Sequence, residues 1–233
     1  MVGEIVRRVS NLTIREAVHK FIAQPLSTII TVGAASDLKP LIAPQVLAKE
    51  KDATAFSVAA RNNPNSIQAA VENYPIDFVD TERGFSSELC AANIVTNAQG
   101  LAKFYDSLLT NDIIIDACHR RLMTETSIQS ECDATFLTPS AYGLGVMKSF
   151  GKIDEDGSFV LSRSAFGHVG AGGHFAFAEP SCGCSMAFTM RRMSSGLHID
   201  ERGKKLITAF YQDLGYEISS DKKSFERKHN ATI

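Results

Sequence analysis

The chemistry-bearing residues of this chain gather around one run, Phe166-Gly167-His168-Val169-Gly170-Ala171-Gly172-Gly173. Glycine at that density, beside segments of alternating apolar residues, lets backbone N–H groups come close to a ligand. His168 adds a titratable donor at the same place. The run reads as the mouth of a site built on strand backbone. The plainer reading makes His168 a histidine at the solvent edge of a strand end, and His174 a strand-surface residue.

A second concentration is Cys182-Gly183-Cys184. Two thiols this close are half of a metal site, but no second close pair or His pair completes it. The stretch reads as a turn between two strands, and no metal or cofactor is assigned. A metal-dependent hydrolase using His168, His174 and this pair is the weakest of the functions weighed. With Cys90, Cys118 and Cys132 the cysteines total five. An odd, widely spaced set argues against a disulfide framework and favours an intracellular, reducing compartment. The N-terminus carries Glu4, Arg7 and Arg8 and no long apolar run, so it does not read as a secretory signal.

These residues must be held by ordinary globular elements. The 233 residues are 44% apolar and 21% charged, with a formal net charge of −2. That balance offers no global field to nucleic acid or acidic membrane, and no segment reaches bilayer length. Val2 to Val9 reads as a helix with Ile5, Val6 and Val9 on one stripe. No cap precedes it, which points to sequence missing upstream. Thr13 and Glu16 form a capping box, and their helix turns Ala17, Val18, Phe21 and Ile22 inward and stops at Pro25. Residues 27–75 are poorly periodic, broken by Pro40, Pro44 and Pro64, with two short helices. Thr96 and Gln99 make a second capping box ahead of Leu101, Phe104, Tyr105, Leu108 and Leu109 at helical spacing. Asn93 either caps the same helix, the preferred reading, or holds the loop beside the site, and a further helix covers Ile113 to Met123.

From Tyr142 the period becomes two. Strands are expected at Tyr142–Phe150, Phe159–Phe166, Gly173–Ala178 and Ser185–Met193, with Met186, Phe188 and Met190 on one face. Glu179-Pro180-Ser181-Cys182-Gly183 supplies the last hairpin turn, with Glu179 a mere turn carboxylate. A closing helix from Asp200 to Leu214 turns Leu206, Ile207, Phe210, Tyr211 and Leu214 inward and ends at Gly215. The fold class is α+β: a helical lobe with loops (1–140), an antiparallel sheet with a closing helix (141–216), and a charged tail (217–233) expected to be disordered.

This order of elements, together with several motifs, resembles the serine β-lactamase-related family of class C β-lactamases and penicillin-binding-protein-like esterases, in its C-terminal portion only. Val2-Gly3-Glu4-Ile5-Val6-Arg7-Arg8-Val9 resembles the helix after that family's tyrosine motif. Ala91-Ala92-Asn93 is similar to its Ala-Ala-Asn stretch, although Cys90 and Ile94 replace the usual proline and glycine. Phe166 to Gly173 resembles the third motif, with His168 where β-lactamases carry the lysine of Lys-Thr-Gly. Phe175 to Pro180 looks like the strand and turn that follow. The resemblance reaches about Tyr216 and is specific over residues 166–180.

It implies a β-lactamase/transpeptidase-like fold with the N-terminal part missing, acting on a small-molecule ester or amide. His168 would hydrogen-bond toward the proton relay or the substrate. The Ala171 N–H would be half of an oxyanion hole, and Gly170, Gly172 and Gly173 would line the substrate position. The strand at Ser185–Met193 would normally pair with an N-terminal strand, so its edge would be open to self-association.

The family also needs a Ser-x-x-Lys helix, in which one helical turn sets the amine against the serine hydroxyl. Ser36–Lys39 matches the spacing, but Pro40 disfavours a helix there. Ser149–Lys152 lies at a strand end, and Ser219–Lys222 and Ser220–Lys223 lie in the charged tail. Tyr105-Asp106-Ser107 mimics the tyrosine motif, yet Tyr105 sits on an apolar helix face. The chain therefore reads as part of a serine hydrolase that is inactive by itself. The alternative is a non-catalytic binding or assembly module of the same half-fold.

Overall fold

A computed structural model describes residues 1–34, 37–48, 55–73, 80–110, 112–149, 162–219 and 225–227. The chain opens with α1 (Val2–Ser10), where Glu4 pairs with Arg7 and Arg8 at 2.7 Å each and Val2, Ile5 and Val9 stay exposed. Thr13 and Glu16 close the expected capping box at the head of α2 (Ile14–Val18). That helix continues as a π-helical turn, His19–Ala23. The wider turn changes which side chains face inward: Ala17 and Ala23 are buried, whereas Phe21 is 50% exposed, contrary to expectation.

The aperiodic stretch after Ser27 contains more order than its pattern suggests. It holds β1 (Ile30–Val32), a 3-10 turn (Lys39–Leu41), α3 (Ala55–Asn62) and α4 (Ile67–Glu72). Thr81 then caps α5 (Glu82–Ser86). β1 pairs antiparallel with β2 (Ile94–Thr96), and this pairing overturns the second capping box. The Thr96 hydroxyl donates to the Ile29 carbonyl at 2.7 Å. Asn97 instead caps α6 (Ala98–Thr110), its Oδ1 accepting from Gly100 N at 2.8 Å. α7 (Ala117–Thr124) starts later than Ile113 because Asp116 is its cap, accepting from His119 N at 2.9 Å.

Six short strands then form one antiparallel sheet in the order β3 (Ile128–Ser130), β4 (Ser140–Tyr142), β5 (Met147–Lys148), β6 (Phe166–Gly170), β7 (His174–Glu179) and β8 (Cys184–Phe188). Alternation sorts its faces. Phe166, Ala176 and Ala178 pack with Tyr105 and Leu108 of α6. Phe175 and Phe177 pack with Ile207 and Tyr211 of α8 (Glu201–Asp213). The sheet is thus the middle of three layers. Met186 and Phe188 side with α8 and Ala187 with α6, as the pattern predicts. The strand expected from Phe159 begins at Phe166, after a turn in which Ala165 N donates to Ser162 O at 3.1 Å. Residues 159–161 lie outside the described residues, and Met190 falls beyond the end of β8.

Asp200 caps α8 through Gly203 N at 3.0 Å. Ile207 and Tyr211 are fully buried, but Leu206 is 40% exposed and does not face inward. Past Gly215, β9 (Tyr216–Ile218) pairs antiparallel with β10 (Phe225–Arg227). The expectation of a disordered tail from residue 217 fails at these positions because Phe225 has an apolar partner: its ring stacks on Tyr211 at 4.4 Å. Residues 228–233 lie outside the described residues.

Candidate functional site

Phe166, His168 and Gly170 share the α6 face of β6 by strand alternation, and the His168 side chain is exposed. The pairing of β6 is lopsided. β7 covers its whole length, from Phe166↔Ala178 to Gly170↔His174, whereas β5 pairs only with Phe166 and Gly167. From His168 onward, one edge of β6 has no strand partner among the described residues. Its outward backbone groups have no ladder to join there, so a ligand can pair with those that no side chain already engages.

The His168 Nδ1 lies 2.6 Å from the Val169 carbonyl oxygen. A carbonyl only accepts, so Nδ1 carries the hydrogen, and Nε2 of the neutral ring is left as an acceptor. Ala171 leaves the strand and begins a turn; its amide has no hydrogen-bond partner among the described residues. The turn is held from behind. Gly172 N donates to Gly196 O at 2.9 Å, and Ser194 N donates to Gly172 O at 2.8 Å. Gly172 and Gly173 stand at φ +84° and +96°. A Cβ at Gly172 would lie 2.6 Å from the Met193 side chain. The glycine at 172 thus answers to the turn and to Met193. One at Gly170 would only touch His174 Cβ at 3.3 Å.

Three neighbours differ from their expected roles. His174 is half-buried rather than a surface residue: its Nδ1 accepts from Met190 N at 3.3 Å, and its Nε2 is buried with no partner among the described residues. Burial, and then the charge of Arg202, hold its pKa below the ordinary histidine value. Asn93 is 6% exposed and caps no helix; its amide donates to Gly84 O and Ser87 O at 2.9 Å each, clamping the segment after α5. Glu179 is the group that sequence reasoning missed. It is fully buried on the α8 side, and its carboxylate accepts from Ser164 Oγ at 2.6 Å, Ser181 Oγ at 2.7 Å and Tyr211 OH at 2.7 Å. The signal was present in the alternation, which puts residue 179 on the face of Phe175 and Phe177.

Of the Ser-x-x-Lys matches, Ser36 lies outside the described residues, and the Lys39 amine is paired with Glu82. Residues 150–152 and 220–223 also lie outside them. Tyr105 is buried in the α6 core, and burial raises its hydroxyl pKa, as a core role requires. Cys182 and Cys184 sit half-exposed in the β7–β8 turn, and among the described residues no group of three or more His, Cys, Asp or Glu is placed to hold a metal ion. Among them, too, no helix is long and apolar enough to cross a membrane. A surface depression lies on the other face of β6 from His168, bordered by Val169, Tyr142, Met147, Lys148, Leu197 and His198.

A meandering antiparallel sheet between α6 and α8, with a glycine-rich strand left half-unpaired, has the fold of the serine β-lactamase-related family. A penicillin-binding protein homolog from Caulobacter crescentus matches with a TM-score of 0.71 and 25% identity, over 90% of this chain and 55% of its own. EstA from Arthrobacter nitroguajacolicus Rue61a matches at 0.69 and 20% identity, over 89% of this chain and 55% of its own. A family VIII carboxylesterase matches at 0.66 and 23% identity, over 90% and 55%. The chain therefore spans about half the length of the solved structures it resembles. No protein-family model matches the sequence, and no curated protein does.

Proposed function

We propose that this chain forms one wall of an acyl-transfer cleft of a β-lactamase-related serine hydrolase, with the attacking serine and its base supplied by sequence outside it. The observation that carries this reading is the free edge of β6 beginning at His168. A small ester or amide lying along that edge brings its carbonyl oxygen to the Ala171 N–H. As a nucleophile adds, the oxygen becomes an oxyanion, and one preorganised donor contributes about 3 kcal/mol to stabilising it. His168 stands exposed at the start of the same edge. With Nδ1–H held by the Val169 carbonyl, its Nε2 accepts a proton-relay hydrogen when the ring is neutral and donates when it is charged. Gly170 leaves room on that face for the acyl group. Two facts support an external nucleophile: the half-length coverage of the solved structures, and a Lys39 amine already engaged by Glu82.

A fluorophosphonate probe tests this. The present polypeptide should show no stoichiometric serine labelling. The protein extended by its upstream coding sequence should label, and H168A in that longer form should slow labelling by roughly a hundredfold. A labelled serine in the present chain overturns the reading. A second reading, a non-catalytic assembly module, is favoured by one observation only: β8 ends the sheet with no further strand among the described residues.

A further inference from the structure

Cys182 and Cys184 flank Gly183 in the turn joining β7 to β8. Gly183 stands at φ +66°, in the left-handed region. A residue coiled as tightly as a helix, with a radius of about 2.3 Å and about 100° per residue, draws its neighbours' Cα atoms to roughly 5.4 Å. That falls within the roughly 4.4–6.8 Å span of disulfides, whereas an extended residue would hold them near about 7 Å. Both thiols are turned into the same bend: Cys184 Sγ is 3.4 Å from the Cys182 carbonyl oxygen, and Cys182 Sγ is 3.7 Å from that of Glu179. The backbone beneath them is fixed, with Cys182 N donating to Glu179 O at 3.3 Å and Cys184 in register with Glu179. Both side chains remain half-exposed and so within reach of a small reagent. Cys90, Cys118 and Cys132 stand on separate segments with no such neighbour in sequence.

We propose that Cys182 and Cys184 are a reversible redox pair that closes a disulfide across Gly183 by exchange with a low-molecular-weight disulfide of the glutathione class. The Cys184 thiolate attacks one sulfur of the small disulfide. Its S–S bond breaks, one small thiolate leaves and takes up a proton, and a mixed disulfide stands on Cys184. The Cys182 thiol then loses its proton and attacks the Cys184 sulfur, expelling the second small thiol. The protein dithiol gives up two electrons and two protons, and the small disulfide receives both. Burial, and then the neighbouring Cys184 sulfur, push the Cys182 thiol up, which leaves the first attack to Cys184. Oxidation crosslinks the turn after β7 to the first residue of the open-edged β8.

The test uses the full chain in buffers of graded reduced-to-oxidised glutathione ratio, followed by rapid alkylation and mass spectrometry. Trypsin releases residues 164–191 as one peptide, which holds these two cysteines and no other. The expected product is that peptide two hydrogens lighter than the dithiol and unalkylated. The folded chain should reach half-oxidation at a ratio about tenfold more reducing than the urea-unfolded chain, a difference of about 30 mV. Equal midpoints, or a peptide that stays doubly alkylated, overturn the proposal. C182S should trap the glutathione adduct on Cys184, and failure to trap it overturns the order of attack.

Discussion

The Tyr211 hydroxyl donates to Glu179 Oε2 at 2.7 Å, and neither residue has exposed surface. This bond joins α8 to β7. The other carboxylate oxygen takes Ser164 Oγ, Ser181 Oγ and Ser181 N at 2.6, 2.7 and 3.1 Å. A carboxylate removed from water is tolerated only when its oxygens are satisfied in this way. Ser164 leads directly into β6, so the network fastens the start of the strand that carries His168.

Burial by itself would raise the Glu179 carboxyl, but the hydroxyls of Ser162, Ser164, Tyr211 and Ser181 outweigh it and hold the group below the ordinary carboxylate value. A carboxyl lowered on folding contributes stability above its unfolded pKa and loses it as pH falls through the folded one. E179Q should therefore cost about 2 kcal/mol near neutral pH, and the gap to wild type should narrow below about pH 4. Urea unfolding at several pH values measures this; a gap that does not change with pH contradicts the assignment.

Replacing Gly172 by alanine forces an L side chain to φ +84° and onto Met193. The expected loss is about 2 kcal/mol, with the backbone contributing roughly half. M193A in the same chain should recover only part of the contact share, because the Cβ it keeps lies 2.7 Å from the new methyl, and leave the backbone share. Full recovery in the double variant shows that strain at residue 172 plays no part.

N97A should lower stability by about 1 kcal/mol through loss of the α6 cap, while Q99A should change it by less than about 0.5 kcal/mol. Comparable losses in denaturant titrations restore Thr96 and Gln99 as the capping pair.

The outer edge of β8 has no strand partner among the described residues, and such edges template pairing with other chains. Sedimentation velocity over a wide concentration range should show the apparent mass of the 25.3 kDa chain rising with concentration. A concentration-independent monomer rules the edge out as an association site.

The sheet and its two faces are legible in the sequence because alternation from Phe166 to Phe188 is a local property that packing merely confirms. The capping box at Thr13 is legible for the same reason. Thr96 is not: its side chain suits a cap, but pairing with Ile30 commits it to a strand, and that partner is distant in the chain. Glu179 is misread because a polar residue beside proline looks like a turn, while the donors that allow its burial come from residues 164, 181 and 211. The glycine run is legible in the sequence, but the feature that leaves its edge open, the absence of β5 beyond Gly167, depends on where another hairpin turns back.

That hairpin turns at residues 143–146, where Gly143 N donates to Val146 O at 2.9 Å and Gly145 adopts φ +82°. Its tightness sets where β5 begins, at Met147. Adding a pair of residues to each arm would let the hairpin zip past His168 and seal the rim as continuous sheet. The length of unpaired backbone on offer is thus metered by a bend that bears no chemistry of its own, and insertions there would close the open edge of β6 without altering a single residue in it.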